Sequence, residues 1–229
     1  MHKSVNTPNE TPGPRVVSSM KNSWTGGEVA GRTSEEAAEN LALSVHRCEA
    51  GAFERLIERF EKPLFNYAHG ILQNAFDAQE VVQDAMLRAH RALTRQYDQA
   101  RVEALALRPW LFRTVRNLCL NKRRSKRSAL EQPLETFDDG RLGPFVHLEG
   151  SALERKEELE LLRRAMSLLP VDARELIVLR FMEEMSYAEI AKTVGTSEAA
   201  LRGKVFRSLK LLRDALEKRM SQKGAAYAM

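Results

Sequence analysis

Two asparagines, Asn117 and Asn121, have a spacing that would let them act together. They are four positions apart and therefore share one face of a helix. An asparagine amide can hydrogen-bond to the edge of a base in a way that a lysine ammonium cannot. The surrounding segment, residues 113–130, carries seven basic residues and no acidic one. The combination indicates contact with a nucleic acid, and an ordinary solvated helix face is the alternative.

A second group of residues predicts a helix-turn-helix. Ser186 and Glu189 have the spacing of a capping box at the start of a short helix. Gly195 suits the left-handed residue that ends such a helix. A second helix then restarts, and its basic side chains include Arg202 and Lys204. In this motif the second helix enters the major groove, where Arg and Lys reach guanine edges and phosphates. A purely structural helical hairpin is the alternative.

The basic residues of the chain are concentrated in these two segments. There are 36 Lys and Arg residues against 31 Asp and Glu residues, which gives a formal net charge of +5. Between the two segments, residues 129–152 carry five acidic residues against Arg141 alone. Two basic blocks separated by an acidic stretch indicate two contacts with nucleic acid and a linker that avoids phosphates.

The composition excludes several classes of protein. The 229 residues are 43% hydrophobic, enough for real cores. No run approaches the ~20 apolar residues of a membrane helix. No apolar signal segment occurs among the polar first 40 residues, so we expect a cytoplasmic protein. Neither the two cysteines, Cys48 and Cys119, nor the five scattered histidines form a disulfide scaffold or a zinc site. No nucleophile with a base stands out, so we expect no enzyme, metal, cofactor or small-molecule substrate.

Amphipathic helices must position both basic segments. Apolar residues recur at helical spacing over residues 53–72, and Pro63 is expected to kink or divide this helix. A capping box over residues 77–80, with Phe76 and Val81 as a hydrophobic staple, predicts the start of the next helix. These helices would form the support for the segment that carries the asparagines.

The remaining chain predicts a loop, a linker and a second domain. Residues 97–107 are less regular and predict a loop, and Pro109 then suits the first turn of a helix. Three glycines and two prolines make residues 128–150 a flexible acidic linker. We therefore predict an all-α fold of two helical domains joined by a flexible linker. The predicted boundaries are a disordered tail at 1–32, domains at 33–127 and 151–219, and a tail at 220–229.

Together these motifs resemble bacterial RNA polymerase sigma factors of the sigma-70 family, in the extracytoplasmic-function (ECF) class. The run DAQEVVQD at residues 77–84 and the run RPWLFRTVRN at residues 108–117 resemble sigma region 2. The segment over residues 168–213 resembles region 4. Both sets occur in the family's order, over roughly residues 40–127 and 151–217.

The resemblance implies a function and partners. A sigma factor directs the RNA polymerase core to specific promoters and begins promoter melting. The implied partners are the core, through its β′ clamp helices and β flap, promoter DNA and an anti-sigma factor. The helix that begins near residue 77 matches the one that docks on the β′ clamp helices. Its matching positions are Asp77, Glu80, Gln83 and Asp84.

The resemblance also implies DNA contacts for both domains. The loop at residues 97–107 matches a loop that captures a base flipped from the non-template strand. The positions that match minus-ten recognition are Arg113, Arg116, Asn117, Asn121, Lys122 and Arg124. The positions that match minus-thirty-five recognition are Ser197, Arg202, Lys204, Phe206 and Arg207.

Two departures and three alternatives accompany this interpretation. His90 stands where the family commonly has Trp, and Gly203 stands in the recognition helix where Ser is frequent.

The first alternative is a helix-turn-helix regulator that binds DNA without polymerase, which leaves the motifs at 77–84 and 108–121 unused. The second is an adaptor that binds polymerase or an anti-sigma factor without reading DNA. The third, a nucleic-acid enzyme, lacks a metal or nucleophile constellation.

Overall fold

The described part of the chain is built from helices alone. A computed structural model describes residues 41–129 and 152–227, with side chains over 41–126 and 158–218. No strand occurs within those ranges, and the predicted all-α fold is confirmed. The predicted tail at 1–32 and most of the predicted linker lie outside the described residues.

The first half of the molecule is a bundle of three long helices. Residues 41–46 are helical (α1). They are followed by α2 (Ala52–Leu72), α3 (Ala75–Arg91), a π-helical turn (Ala92–Gln96), α4 (Gln99–Glu103) and α5 (Leu107–Ala129). The long helices α2, α3 and α5 pack against one another.

The predicted apolar stripe of α2 forms much of this core. Leu56, Phe60 and Leu64 are at most 3% exposed. Each such side chain contributes about 1.5–3 kcal/mol when it is removed from water. The helix continues through Pro63 to Leu72, so the predicted division of α2 does not occur.

The start of α3 differs from the predicted capping box. Asn74 is the N-cap, and its side-chain oxygen accepts a hydrogen bond from the backbone N–H of Asp77 at 2.9 Å. Phe76 is 77% exposed and does not form the predicted staple with Val81. Asn and Asp are both good N-caps, and the earlier start leaves the Asp77 carboxylate free to pair with Lys122 on α5 at 3.3 Å. The contact between α3 and α5 therefore explains why Asn74 rather than Asp77 caps the helix, although both residue types are good N-caps.

The segment predicted as a loop contains a short helix. The Asp98 side chain accepts a hydrogen bond from the N–H of Arg101 at 2.8 Å and caps α4. The loop prediction is therefore wrong for Gln99–Glu103. The spacing of apolar residues there gave little sign of a helix, but the Asp98 cap stabilises one. Pro109 lies in the first turn of α5, as predicted.

The second half of the molecule contains the predicted helix-turn-helix. It comprises α6 (Ala152–Ser167), α7 (Val171–Ile177), a π-helical turn (Val178–Met182), α8 (Tyr187–Val194) and α9 (Glu198–Tyr227). Helix α9 packs against α6, α7 and α8, and it runs past the domain boundary predicted at residue 219.

The turn of this motif is built as its sequence predicts. The Ser186 hydroxyl accepts a hydrogen bond from the N–H of Glu189, whose carboxylate accepts one from the N–H of Ser186. Gly195 has φ of 77°, a left-handed conformation that costs a residue with a β carbon about 1–2 kcal/mol. Leu201 and Val205 of α9 are buried in the core. The capping box and the glycine together define the angle between α8 and α9.

The two halves of the molecule are in contact. Helix α5 packs against α8, and α2 packs against α7 and the π-helical turn that follows it. The backbones approach closely at Gly70, where an added β carbon would lie 3.0 Å from Cγ2 of Val178. A glycine at this position therefore allows the halves to meet.

Candidate nucleic-acid interface

The predicted asparagine face lies on the outer side of α5. Leu111, Val115 and Cys119 are fully buried and hold the helix against the bundle. On the other side, Asn117 and Asn121 are both exposed. Arg113 is exposed on the same helix. The helix thus presents two amides and a guanidinium that are free to meet a ligand.

Arg116 differs, because the second half of the molecule engages it. Its Nε donates a hydrogen bond to Oε1 of Glu175 on α7 at 2.6 Å, and its side chain is 21% exposed. The Tyr67 hydroxyl of α2 donates to the same oxygen at 2.5 Å. Burial lowers the pKa of Arg116, but the hydrogen bond and charge of Glu175 outweigh it and raise that pKa. Burial and then Glu175 raise the pKa of Tyr67 well above its ordinary value.

Lys122 joins the predicted polymerase-docking residues to the predicted DNA-binding helix. Its Nζ lies 2.6 Å from Oε2 of Glu80 and 3.3 Å from Oδ1 of Asp77. Lys126 also pairs with Asp77, which is only 6% exposed. Burial lowers the pKa of Lys122, but its bonds to Glu80 and Asp77 raise it overall. Arg124, the last residue predicted for this surface, is exposed.

The outer face of α3 is open to a partner. Glu80 and Gln83 are exposed, and Asp84 is half-buried beside Arg88, with their side chains 3.0 Å apart. An exposed pair at this helical spacing contributes only about 0.3–0.5 kcal/mol, so a partner can displace it. Leu87 adds an apolar side chain that is 56% exposed. The face combines acidic and apolar groups.

The predicted recognition helix exposes all its candidate contacts. Ser197 lies at the start of α9, where its hydroxyl accepts a hydrogen bond from the N–H of Ala200 at 3.4 Å. Phe206 is 71% exposed. The other exposed side chains of this surface are Arg202, Lys204 and Arg207.

Tyr187, which contacts the candidate residue Arg202, is not among the site residues predicted from the sequence. The ring of Tyr187 contacts two guanidinium groups, with Arg202 at 4.8 Å and Arg180 at 4.9 Å from its centroid. Such contacts contribute about 0.5–1 kcal/mol at exposed sites. Arg180 is itself held by a hydrogen bond to the carbonyl of Met185 at 2.7 Å. Only the folded turn brings the three side chains together, so no spacing signal in the sequence could have found them.

A second group of missed residues joins α5 to the helix-turn-helix. Arg108 lies 3.2 Å from Oε1 of Glu189 and also donates a hydrogen bond to the carbonyl of Glu183. Burial raises the pKa of the Glu183 carboxyl to about 7, against lowering effects of Arg108 and of a hydrogen bond from Asn66. Glu189 thus belongs both to the capping box and to the contact between the halves.

Two other kinds of feature do not occur in the part of the chain that the structure describes. No helix within 41–129 and 152–227 is long and apolar enough to cross a lipid bilayer. In the same part of the chain, no three His, Cys, Asp or Glu side chains are grouped so that they could hold a metal ion.

Comparison with protein families matches both halves of the chain. The family described as sigma-70 region 2 matches residues 56–129. The family described as sigma-70, region 4, matches residues 159–212. The two matched segments contain the candidate surfaces of α3, α5 and the start of α9.

Similar proteins and solved structures match most of the chain. The chain is 30% identical over 179 residues to the ECF RNA polymerase sigma factor SigM of Mycobacterium tuberculosis, covering 78% of this chain and 83% of that protein. It is 24% identical to the RNA polymerase sigma-H factor of Pseudomonas aeruginosa, covering 80% and 96%. Its fold is similar to CnrH, solved in complex with the cytosolic domain of CnrY, with a TM-score of 0.56, 26% identity, and coverage of 80% and 98%. The sigma factor RpoE of Bartonella quintana, solved with the anti-sigma factor NepR, has a TM-score of 0.56 at 21% identity, with coverage of 73% and 98%.

Proposed function

The chain belongs to the ECF class of the sigma-70 family, and from this we propose how its two halves share the work of a sigma factor. It directs RNA polymerase core to promoters and nucleates promoter melting. The order of the two family matches carries this conclusion, since region 2 precedes region 4 in one chain. The division that we propose is a region 2 domain at 33–127, a linker at 128–150 and a region 4 domain at 151–219.

Helix α5 is the proposed reader of the minus-ten element. The exposed amides of Asn117 and Asn121 would contact base edges, while Arg113, Arg116, Lys122 and Arg124 would contact the backbone. A base flipped into the segment at 97–107 would offset the few kcal/mol that unstacking costs. The exposure of the asparagine face supports this assignment.

The proposed core-binding surface is the outer face of α3. It consists of Asp77, Glu80, Gln83 and Asp84, of which the buried Asp77 would act by holding the Lys122 side chain. The open face with its exposed Leu87 supports this assignment. Exposed apolar and charged groups together are typical of protein-binding surfaces.

The proposed reader of the minus-thirty-five element is the first part of α9. Ser197, Arg202, Lys204, Phe206 and Arg207 would enter or flank the major groove. Tyr187 would position Arg202 for that contact.

Other proposals follow from family membership and from the neighbours. We propose a cytoplasmic protein that has no catalytic centre and that works with RNA polymerase core and promoter DNA. An anti-sigma factor is a further proposed partner, as the family resemblance implies, and the similar CnrH was solved in complex with another protein, the cytosolic domain of CnrY.

Reconstituted transcription tests the function directly. The purified chain is mixed with bacterial core polymerase and a genomic fragment library, and the transcript starts are sequenced. We expect a shared two-part motif upstream of starts that are absent with core alone. Binding to core without added starts would favour the adaptor, and tight DNA binding without core would favour the regulator.

A double substitution tests the proposed contact of the two asparagines with the minus-ten element. Asn117→Ala combined with Asn121→Ala should lower promoter opening at least about tenfold, because each lost base contact costs about 1–3 kcal/mol. Binding to core should stay within about twofold of the unaltered chain. Glu58→Ala, at an exposed position of α2, is the control. A collapse of core binding in the asparagine variant would make the two residues structural.

The docking assignment is tested by Asp84→Arg. The substitution reverses a charge on the exposed face of α3 and should weaken competition for core at least about tenfold, since like charges across an interface cost several kcal/mol. Glu58→Arg makes the same charge change on α2 and should compete normally. Normal competition by Asp84→Arg would remove α3 from the docking surface.

A further inference from the structure

One carboxylate ties together three helices from both halves of the molecule. Glu175 of α7 is 3% exposed and accepts hydrogen bonds from Tyr67 of α2 and Arg116 of α5. We call this group the Glu175 cluster. Oε1 of this buried carboxylate accepts both hydrogen bonds, from donors on two different helices of the first half, so the contact is specific rather than incidental.

Two further contacts lie in the same interface. Arg108 of α5 pairs with Glu189 of α8 at 3.2 Å and reaches the carbonyl of Glu183. Gly70 of α2 approaches the Val178 side chain so closely that a β carbon would meet it at 3.0 Å. Charged contacts and a close apolar contact together join the region 2 half to the region 4 half.

This arrangement does not allow both promoter elements to be read at once. Elements centred about 25 base pairs apart lie about 85 Å apart at about 3.4 Å per base pair. Helix α5 packs on α8, and α8 packs on α9. Packed helix axes are about 8–10 Å apart, so the axes of α5 and α9 lie within about 20 Å of each other where both pack on α8. The halves must separate before both surfaces reach their elements.

We propose that the Glu175 cluster is a latch that holds the free chain closed by occupying Arg116, a guanidinium that promoter DNA requires. This inference rests on the proposed function, since that function assigns Arg116 to the promoter backbone. Glu175 presents to Arg116 the kind of oxygen anion that a phosphate presents. DNA and Glu175 therefore compete for one side chain, and opening is coupled to promoter binding.

Coupling of this kind has a measurable consequence. When only a fraction of the molecules has the conformation that can bind, the apparent affinity for the ligand is reduced by that fraction. Variants that open the latch without touching the DNA surfaces should therefore populate the open form in the absence of polymerase.

The test measures the distance between the halves by fluorescence energy transfer in the full chain. Dyes are attached at Glu58→Cys on α2 and Asp214→Cys on α9, both exposed, in a Cys48→Ser background. Cys119 can remain because it is buried and burial raises the pKa of its thiol to about 12, so it labels slowly. High transfer in the free chain is the result expected of the closed form.

Two variants should open the latch by different means. Glu175→Gln keeps the side-chain size but removes the charge, and it should raise the ratio of open to closed molecules at least about fivefold. Gly70→Leu introduces a side chain against Val178 without altering any charge, and it should open the chain further. Glu158→Gln, at an exposed position of α6, is the matched control and should leave transfer unchanged. Equal transfer in the unaltered chain and in both variants would overturn the latch.

A charge exchange separates the latch from the proposed function. Arg116→Glu combined with Glu175→Arg should restore high transfer, because the pair is kept, yet it should not restore transcription, because the guanidinium has moved to α7. Failure to restore transfer would overturn the pairing that defines the latch. Full transcription by this variant would overturn both the role of Arg116 at the promoter and its competition with Glu175. The proposed functions of region 2 and region 4 would be unaffected, because transcription by the unaltered chain tests them separately.

Discussion

Arg174 is a charged residue that the fold buries without satisfying. It is 5% exposed, and its Nε and Nη1 atoms have no hydrogen-bond partner. Burial, and then the nearby charge of Arg123, lower its pKa to about 10. A buried unsatisfied polar group costs about 1–3 kcal/mol, so this position is a local weakness of the second half.

Replacing this arginine should stabilise the protein. Arg174→Met retains the length of the side chain and removes the unpaired group, so we expect the free energy of unfolding to rise by about 1 kcal/mol. That corresponds to an increase in Tm of about 2–4 °C for a chain of this size, measured by thermal unfolding. Arg91→Met, at an exposed position, should change little. A lower Tm for Arg174→Met would mean that the guanidinium has a partner in solution.

Gly203 in α9 should accept a β carbon. The nearest atom to an added β carbon would be Nη1 of Arg207 at 3.6 Å, an ordinary contact. Gly203→Ala should therefore stabilise α9 by about 0.5–1 kcal/mol, because alanine is the better helix former. Gly195→Ala is the contrasting variant and should destabilise by about 1–2 kcal/mol, since φ is positive there. Urea unfolding monitored by circular dichroism measures both, and equal effects of the two changes would contradict the prediction.

Between elements, the turn after α7 has a titratable group at the contact with the first half. Glu183 is 8% exposed. It faces Asn66 of α2 and Arg108 of α5, beside its neighbour Glu184, while Glu189 of α8 pairs with the same arginine. Burial raises the pKa of Glu183 to about 7 from an ordinary value of 4.5. Ionisation of this carboxyl therefore opposes closure.

The closed form should accordingly weaken as the pH rises. Below pH 4.5 the carboxyl is protonated in both forms, and between pH 4.5 and about 7 the exposed carboxyl of the open form loses its proton first. We expect the ratio of open to closed molecules to rise at least about tenfold between pH 5 and pH 7.5, since one pKa unit corresponds to a factor of about ten. Energy transfer in the labelled chain measures the ratio. Glu183→Gln should make it independent of pH over this range, and an unchanged pH profile in that variant would exclude Glu183.

For the whole molecule, the closed arrangement predicts a large movement on assembly. The two helices proposed to read the promoter, α5 and α9, lie within about 20 Å of each other where both pack on α8, and on a promoter they would lie about 85 Å apart. Energy transfer between the labelled halves should therefore fall to near background when core polymerase and promoter DNA are added. Bovine serum albumin in place of core is the control for crowding. High transfer in an actively transcribing complex would contradict the movement.

Much of this protein is determined by local sequence. The capping box at Ser186 and Glu189 and the glycine at residue 195 produce the helix-turn-helix through contacts within a few residues. The apolar stripe of α2 and Pro109 in the first turn of α5 likewise depend on near neighbours. Family membership could be inferred for the same reason, because its motifs are short continuous runs.

Only the tertiary structure decided what depends on contacts between distant residues. It made Asn74 the cap of α3 and paired Asp77 with Lys122. It also brought Tyr67, Arg116 and Glu175 together from three helices and enclosed Glu183 between the halves. The spacing of apolar residues shows which face of a helix is buried, but it does not show which charged group of another helix contacts that helix. The closed arrangement and its proposed latch therefore could not be predicted from the sequence, whereas the helices that carry the proposed DNA contacts, α5 and α9, could.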